Sequence, residues 1–145
     1  MRIVLQRVSG SSVTVDGEIV GKIDLGLTLL IGIAPDDTEE KLEWMAKKCV
    51  NLRVFADEDG KMNRSLLEIK GEILAISQFT LYGDCRKGRR PSYTHAAAPK
   101  IAEPMYQRFV ELLKKHCVVV ESGVFGAMMD VEIHNDGPVT LVLEQ

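Results

Sequence analysis

The chain has 145 residues, of which 46% are hydrophobic and 27% charged, the balance of an ordinary globular protein with one sizeable core. Its net charge of −3 gives no sign of affinity of the whole molecule for nucleic acid, so any RNA contact must come from a local patch. No apolar run approaches the roughly 20 residues that span a bilayer. The opening Met1–Val13 stretch is interrupted by Arg7 too soon to act as a signal peptide, so cytoplasmic residence is expected, with no membrane partner.

No internal repeat, linker or low-complexity stretch divides the chain, and a single domain over residues 1–145 is expected. Ile3–Val8 is β-prone, and Ser12–Asp16 alternates Val13 and Val15 with polar partners. Asp16-Gly17 then reads as a two-residue hairpin turn, because Gly accepts the positive φ that such a turn needs. Leu25–Ile33 is nearly all apolar, as in a strand covered on both faces. The first helix is expected from Asp37, which has capping-box spacing to Glu40. Leu42, Met45, Ala46 and Cys49 then form one buried stripe, and Trp44 falls off it as a partly covered surface aromatic. Asp57–Gly60 is a turn that lacks the spacing and final Glu of a calcium loop. Glu72–Leu81 reads as a strand and Lys100–His116 as the second helix, with Ala102, Met105, Phe109, Leu112 and Leu113 inward. Pro104 conflicts with that helix and suggests a kink or a later start. Val118–Glu121, Met129–His134 and Val139–Glu144 complete the strands. Many strands with two main helices, not alternating one for one, predict a mixed α/β domain with largely antiparallel sheet.

Cys49, Cys85 and Cys117 are odd in number and form no C-x-x-C pair, so neither a zinc ribbon nor a redox dithiol is indicated. Cys49 and Cys117 sit in apolar patterns and read as buried thiols. Cys85 lies beside a basic run that can lower its pKa, yet a cysteine hydrolase needs a positioned base, and His95, His116 and His134 are scattered.

Three segments are unusual for scaffold. Ser77-Gln78-Phe79-Thr80-Leu81 ends an apolar strand with hydroxyls, an amide and backbone N–H groups, although Ser and Thr also finish strands for local reasons. Arg86-Lys87-Gly88-Arg89-Arg90-Pro91 sets four positive charges around a glycine, either a solvated loop or a phosphate site. Asn135-Asp136-Gly137-Pro138-Val139-Thr140 reads first as a hairpin turn, but Pro after Gly cannot donate to a ladder.

These segments together resemble the D-aminoacyl-tRNA deacylase family over the whole chain. The two specific signatures are Ser77–Leu81 and Asn135–Thr140. Supporting matches are Gln6-Arg7-Val8, Gly60-Lys61-Met62-Asn63, Arg90-Pro91-Ser92 and the Gly123, Phe125, Ala127, Met129 series. The resemblance implies a homodimer that hydrolyses the ester of D-aminoacyl-tRNA, and glycyl-tRNA mischarged on tRNA-Ala, with two active sites at the interface. Gly137 and Pro138 of one subunit, joined by a cis bond, would enter the pocket formed by Ser77, Gln78, Phe79 and Thr80 of the other. Their carbonyl oxygens would collide with an L side chain and pass a D side chain. Arg7 would brace that turn through its carbonyls. Ala127 and Met129 would line the adenosine or gate the pocket, or simply pack in the core. Arg86, Lys87, Arg89 and Arg90 would hold acceptor-stem phosphates. No metal, cofactor or DNA partner is expected.

The chemistry needs an attacking oxygen and donors for the tetrahedral oxyanion. The N–H groups of Phe79 and Thr80 suit the second task, and Gln78 suits positioning. Thr80 is a weak nucleophile without an adjacent base. Water attack assisted by the substrate 2′-hydroxyl is therefore preferred to a Thr80 acyl-enzyme. A non-catalytic RNA-binding module and a Cys85 thiol enzyme are the competing readings.

Overall fold

The fold, seen in a computed structural model, is described for residues 1–116 and 119–145. Cys117 and Val118 therefore lie outside the described residues, and so does the expected burial of Cys117. Six strands form the main sheet in the order β2 (Glu18–Ile23), β1 (Arg2–Val15), β3 (Gly26–Gly32), β6 (Glu72–Ser77), β7 (Val120–Ser122), with β8 (Asp130–Glu144) paired to the far side of β1.

Strand β1 runs unbroken over Arg2–Val15, where two separate strands were expected. The small residues between them make no turn. On the β8 side, Val8 faces Asn135 and Ser11 faces Ile133, so the interval is absorbed as a register shift. Asp16 and Gly17 both adopt positive φ, 50° and 83°, and turn the chain into β2 (Glu18–Ile23) as expected. Strand β3 (Gly26–Gly32) is buried almost throughout.

Helix α1 spans Glu39–Asn51, and Leu42, Met45, Ala46 and Cys49 are buried along its stripe. Desolvation pushes the Cys49 thiol up to about 12. The cap differs from expectation. Thr38, not Asp37, caps the helix, its Oγ1 accepting from Lys41 N at 3.4 Å. Asp37 is buried and engaged upstream, where it accepts from Ala34 N at 2.8 Å and pairs with the Met1 amine. Trp44 is half-exposed, with Lys48 Nζ 5.6 Å from its ring centre.

The Asp57–Gly60 turn joins the short strands β4 (Phe55–Ala56) and β5 (Met62–Arg64). Asp57 Oδ1 accepts from the backbone N–H of Asp59 and Lys61, which accounts for an acid at that turn. A one-turn helix α2 (Leu66–Ile69), capped reciprocally by Ser65 and Glu68, was not anticipated.

Strand β6 (Glu72–Ser77) stops four residues before its expected end, and Phe79–Tyr82 form a 3₁₀ turn. Helix α3 (Pro99–Lys114) starts with Pro99 in its first turn and runs through Pro104, so the later start does not occur. Pro104 lies on the exposed face, where water can satisfy the carbonyl left without a partner. Ala102, Phe109, Leu112 and Leu113 are buried as expected, joined by Tyr106 and Val110, while Met105 is half-buried.

Strand β7 (Val120–Ser122) is parallel to β6, and β6 is parallel to β3. These two parallel pairs bring α1 and α3 onto one face of the sheet, where they pack together over the main core. The mixed α/β class holds, with a parallel portion added to a mostly antiparallel sheet. Strand β8 (Asp130–Glu144) is one 15-residue strand, not two strands around a hairpin.

Candidate active site

A cavity of about 730 Å³ opens at the carboxyl ends of the parallel strands β3 and β6. That end of a parallel pair is where ligands bind in open α/β sheets. Ile31, Ile33, Ile76 and Val131 floor it, and Ser77, Gln78, Phe79 and Thr80 form its polar end. The four residues meet there because the chain reverses at Gln78, whose φ and ψ are −145° and 76°. Gln78 N donates to Ile31 O at 2.7 Å, which pins the reversal to β3. Gly32 lies under the 3₁₀ turn, where a Cβ would stand 3.2 Å from the Tyr82 ring and 3.3 Å from Gln78 O. The N–H groups of Phe79 and Thr80 open that turn and donate to no backbone acceptor outside it among the described residues. Gln78 Nε2 donates to Thr80 Oγ1.

The opposite wall comes from residues to which the sequence reading gave no role in the site. Tyr93, Ala96–Pro99, Ala102, Tyr106 and Phe125 all line the cavity. The available signal was Ala96-Ala97-Ala98, three side chains too small to fill the space beside them. Ala97 N donates to Ile33 O at 2.9 Å and ties this segment to β3. The Tyr106 hydroxyl is buried, donates to Ala75 O at 2.8 Å, and has its pKa raised by desolvation. No Asp, Glu, His, Lys, Arg or Cys lines the cavity among the described residues. No described group of three or more His, Cys, Asp or Glu is placed to hold a metal.

Ala127 and Met129 also line the cavity. Met129 packs against Leu74 and Ile76 as well, and its sulfur lies 2.4 Å from where a Cβ on Gly123 would stand. Glycine there makes room for the thioether. Large apolar groups stay open around the mouth: Phe79 is 56% exposed, Tyr93 40% and Met128 92%. Phe79 and Tyr93 meet edge to face with centroids 5.1 Å apart.

Gly137 and Pro138 do not line this cavity within one protomer. They sit in a wide bulge of β8. Gln6 faces Thr140 and Val8 faces Asn135, so residues 136–139 stand opposite Arg7 alone. The Gly137–Pro138 bond is cis, and Gly137 has a φ of 113°. Asn135 staples the bulge shut, its Nδ2 donating to Arg7 O at 3.0 Å and Val139 O at 3.1 Å. Gln6 Nε2 and Thr140 Oγ1 donate to Asn135 Oδ1 at 3.2 and 3.1 Å.

Arg7 lies beside the bulge and makes no hydrogen bond to the Gly137 or Pro138 carbonyls among the described residues. Its Nη1 donates to Val54 O at 2.6 Å. Its Nε stands 2.9 Å from Asp136 Oδ2, a charge contact without hydrogen-bond alignment. The Arg7 side chain is 14% exposed and that of Asp136 49%, so solvent reaches this contact from the Asp136 side.

The basic loop, residues 86–90, is exposed. Cys85 is exposed too and lines a second, larger cavity of about 820 Å³ with Arg2, Tyr82 and His95. That cavity contains none of Ser77–Thr80, so the smaller one is the candidate site. No helix among the described residues is long and apolar enough to cross a membrane.

The model of the family described as D-Tyr-tRNA(Tyr) deacylase matches residues 4–144. A D-aminoacyl-tRNA deacylase of Bacillus cytotoxicus is 60% identical over 144 residues, covering 99% of each chain. One of Rippkaea orientalis is 58% identical over 147 residues and covers both chains fully. Among solved structures, a c-Myc DNA unwinding element binding protein superposes with a TM-score of 0.94 at 44% identity, covering 100% of this chain and 99% of that one. A probable eukaryotic D-amino acid tRNA deacylase shares the fold, with a TM-score of 0.84 at 20% identity and coverage of 98% and 97%. With its fold matched across the full length and its sequence across nearly all of it, the chain belongs to the D-Tyr-tRNA(Tyr) deacylase family.

Proposed function

We propose that this chain hydrolyses the ester of D-aminoacyl-tRNA in the cytoplasm as a homodimer. Each cavity receives Gly137 and Pro138 from the neighbouring protomer. The observation that carries this reading is a pair of incomplete halves. The cavity's polar end holds the Phe79 and Thr80 N–H groups, and the exposed Gly137-Pro138 bulge lines neither of the two cavities described. Bulge residues 136–138 project from β8, whose outer edge has no strand partner among the described residues. Such an edge readily pairs with a second chain.

The aminoacyl ester lies along the polar end of the cavity. Phe79 and Thr80 N–H groups take the charge that develops on the carbonyl oxygen, and Gln78 orients the ester. Among the described residues no Asp, Glu, His, Lys, Arg or Cys lines the cavity, so Thr80 Oγ1 has none of these beside it as an activator. Water attack assisted by the 2′-hydroxyl of the terminal adenosine fits this inventory, and the same hydroxyl distinguishes RNA from DNA. The partner's Gly and Pro carbonyls face the substrate α-carbon and exclude an L side chain. A D side chain points away and is hardly read, and the hydrogen of glycine passes as well. Glycyl-tRNA mischarged on tRNA-Ala is therefore a substrate. Ala127 and Met129 border the adenosine. Arg86, Lys87, Arg89 and Arg90 form the basic loop that meets acceptor-stem phosphates, contacts that position RNA without reading sequence.

The test is hydrolysis of D- and L-aminoacyl versions of one tRNA, together with a D-aminoacyl tRNA ending in 2′-deoxyadenosine. Cleavage of the D ester and survival of the L ester are expected, with a sharply slower rate on the deoxy substrate. Equal rates on both enantiomers would refute the chiral wall. Equal rates on the ribo and deoxy esters would refute the 2′-hydroxyl route.

A further inference from the structure

The four cations of the basic loop are not equivalent. Arg86 is locked to Asp84: its Nε reaches Asp84 Oδ1 at 2.9 Å, its Nη2 reaches Oδ2 at 2.6 Å, and its own N–H donates to Oδ1 at 3.0 Å. This is a two-pronged guanidinium–carboxylate pair with a third, backbone bond. The Arg86 hydrogen bonds hold the Asp84 carboxyl well below the usual carboxylate range. Asp84 is also the root of the loop. Its N donates to Ser92 O at 2.8 Å, and Ser92 N donates back to Asp84 O at 3.0 Å. Residues 85–91 are thereby closed between two ends that touch. The next residue, Tyr93, packs on Phe79 at the cavity mouth, so the loop's root and the cavity rim are one piece. Lys87, Arg89 and Arg90 approach no carboxylate within ion-pair distance among the described residues.

We propose that Arg86 is a positioning residue that fixes the loop through Asp84, leaving Lys87, Arg89 and Arg90 to take the RNA phosphates. The proposal rests on reading this loop as the tRNA contact, and it divides the labour within it. The physical reason is charge. A phosphate approaching Arg86 meets the Asp84 carboxylate on the same guanidinium, so the pair offers it little net attraction. Exposed pairs contribute little to global stability, and the consequence here is local order in one loop.

Binding of deacylated tRNA over a series of KCl concentrations separates the roles. Each of Lys87→Ala, Arg89→Ala and Arg90→Ala should flatten the slope of log affinity against log salt by about 0.7 to 0.9, the contribution of one phosphate contact. Arg86→Gln should weaken binding by about threefold with less than half that change in slope. Asp84→Asn removes a negative charge from the path of the RNA, yet it should weaken binding like Arg86→Gln. The double variant should be no weaker than either single one, as expected for two residues acting as a unit. Tighter binding by Asp84→Asn, with a full one-phosphate loss of slope in Arg86→Gln, overturns the division of labour and keeps the loop as the RNA contact. Wild-type affinity and slope in the combined Lys87, Arg89 and Arg90 alanine variant removes the loop reading and the proposal with it.

Discussion

Gly137→Ala would place a methyl group in a bulge that has no room for it and on a backbone that disfavours it. At a φ of 113° an L side chain is strained whatever its surroundings. The added Cβ would stand 2.8 Å from Arg7 Nη2 and 3.1 Å from Val139 N. Arg7 cannot simply swing aside, because it is held by Val54 O at 2.6 Å and stands beside Asp136. Backbone strain of this kind costs about 1–3 kcal/mol. For a chain of this size that corresponds to a fall in Tm of about 3 °C per kcal/mol. The functional loss should be larger, since about 1 Å of misplacement in a positioning group can cost roughly a hundredfold in rate. The assay pairs a thermal melt with hydrolysis of D- and L-aminoacyl esters of one tRNA. Gly60→Ala is the control, because Gly60 has a φ of 77° but nothing within 4 Å of its Cβ position. The control should lose some stability and keep its D-to-L ratio, whereas Gly137→Ala should lose activity or discrimination as well. A Gly137→Ala protein with the wild-type Tm and ratio would refute the argument.

Thr80→Ala should retain measurable hydrolysis, because no carboxylate, imidazole, amine or thiol lines the cavity among the described residues to activate the hydroxyl; complete loss, with a covalent acyl adduct on the wild-type protein seen by mass spectrometry, would establish the nucleophile route instead. Arg7→Lys should reproduce most of the Tm and discrimination loss of Arg7→Ala, since one ammonium cannot reach both Val54 O and Asp136 in the manner of a guanidinium; full rescue by lysine would show that charge alone matters. Iodoacetamide at pH 8 should label Cys85 in the native protein and spare Cys49, whose thiolate fraction at a pKa of about 12 is on the order of 10⁻⁴. Turnover should survive that labelling and the Cys85→Ser change, and loss of activity in both would revive a thiol mechanism.

The parts of the fold that the sequence makes legible are those dictated by local periodicity. The buried stripe of α1 and the positive-φ turn at Asp16-Gly17 follow from residue spacing alone. Long-range pairing is not encoded that way. Two strands were expected on either side of Asp136-Gly137 because Asp-Gly is a strong hairpin signal. The signal is overridden because both flanks pair in turn with one continuous strand, β1, and so stay collinear. The Ser77–Leu81 segment was expected to remain extended, but pairing with β3 ends at Ser77 and the freed chain turns into the 3₁₀ segment. Asp37 has the right spacing to cap α1 and is drawn away by the Ala34 N–H and the Met1 amine. Arg7 and Met129 were singled out through family resemblance. The alanine run and Tyr93 became visible only once the cavity was.

The chemistry of the site and the shape of the bulge point to one physical requirement. In the proposed reading, a cavity that no carboxylate, imidazole, amine or thiol lines among the described residues gains its rate from placement and fixed N–H dipoles, so it depends on geometry more than on pKa. Chiral exclusion under those conditions needs a wall that cannot yield. A side chain can rotate out of the way of an L substituent, and main-chain oxygens in a stapled bulge cannot. In the proposed reading the staple supplies that rigidity. Asn135 binds Arg7 O and Val139 O on either side of the Gly-Pro pair, and Arg7 ties the bulge to Val54 across the chain. A wall mounted on an exposed strand must be presented to a different copy of the cavity, since its own cavity does not include it. In the proposed assembly the dimer is therefore part of the catalytic apparatus, and dilution below its dissociation constant should abolish chiral selection before it unfolds either protomer.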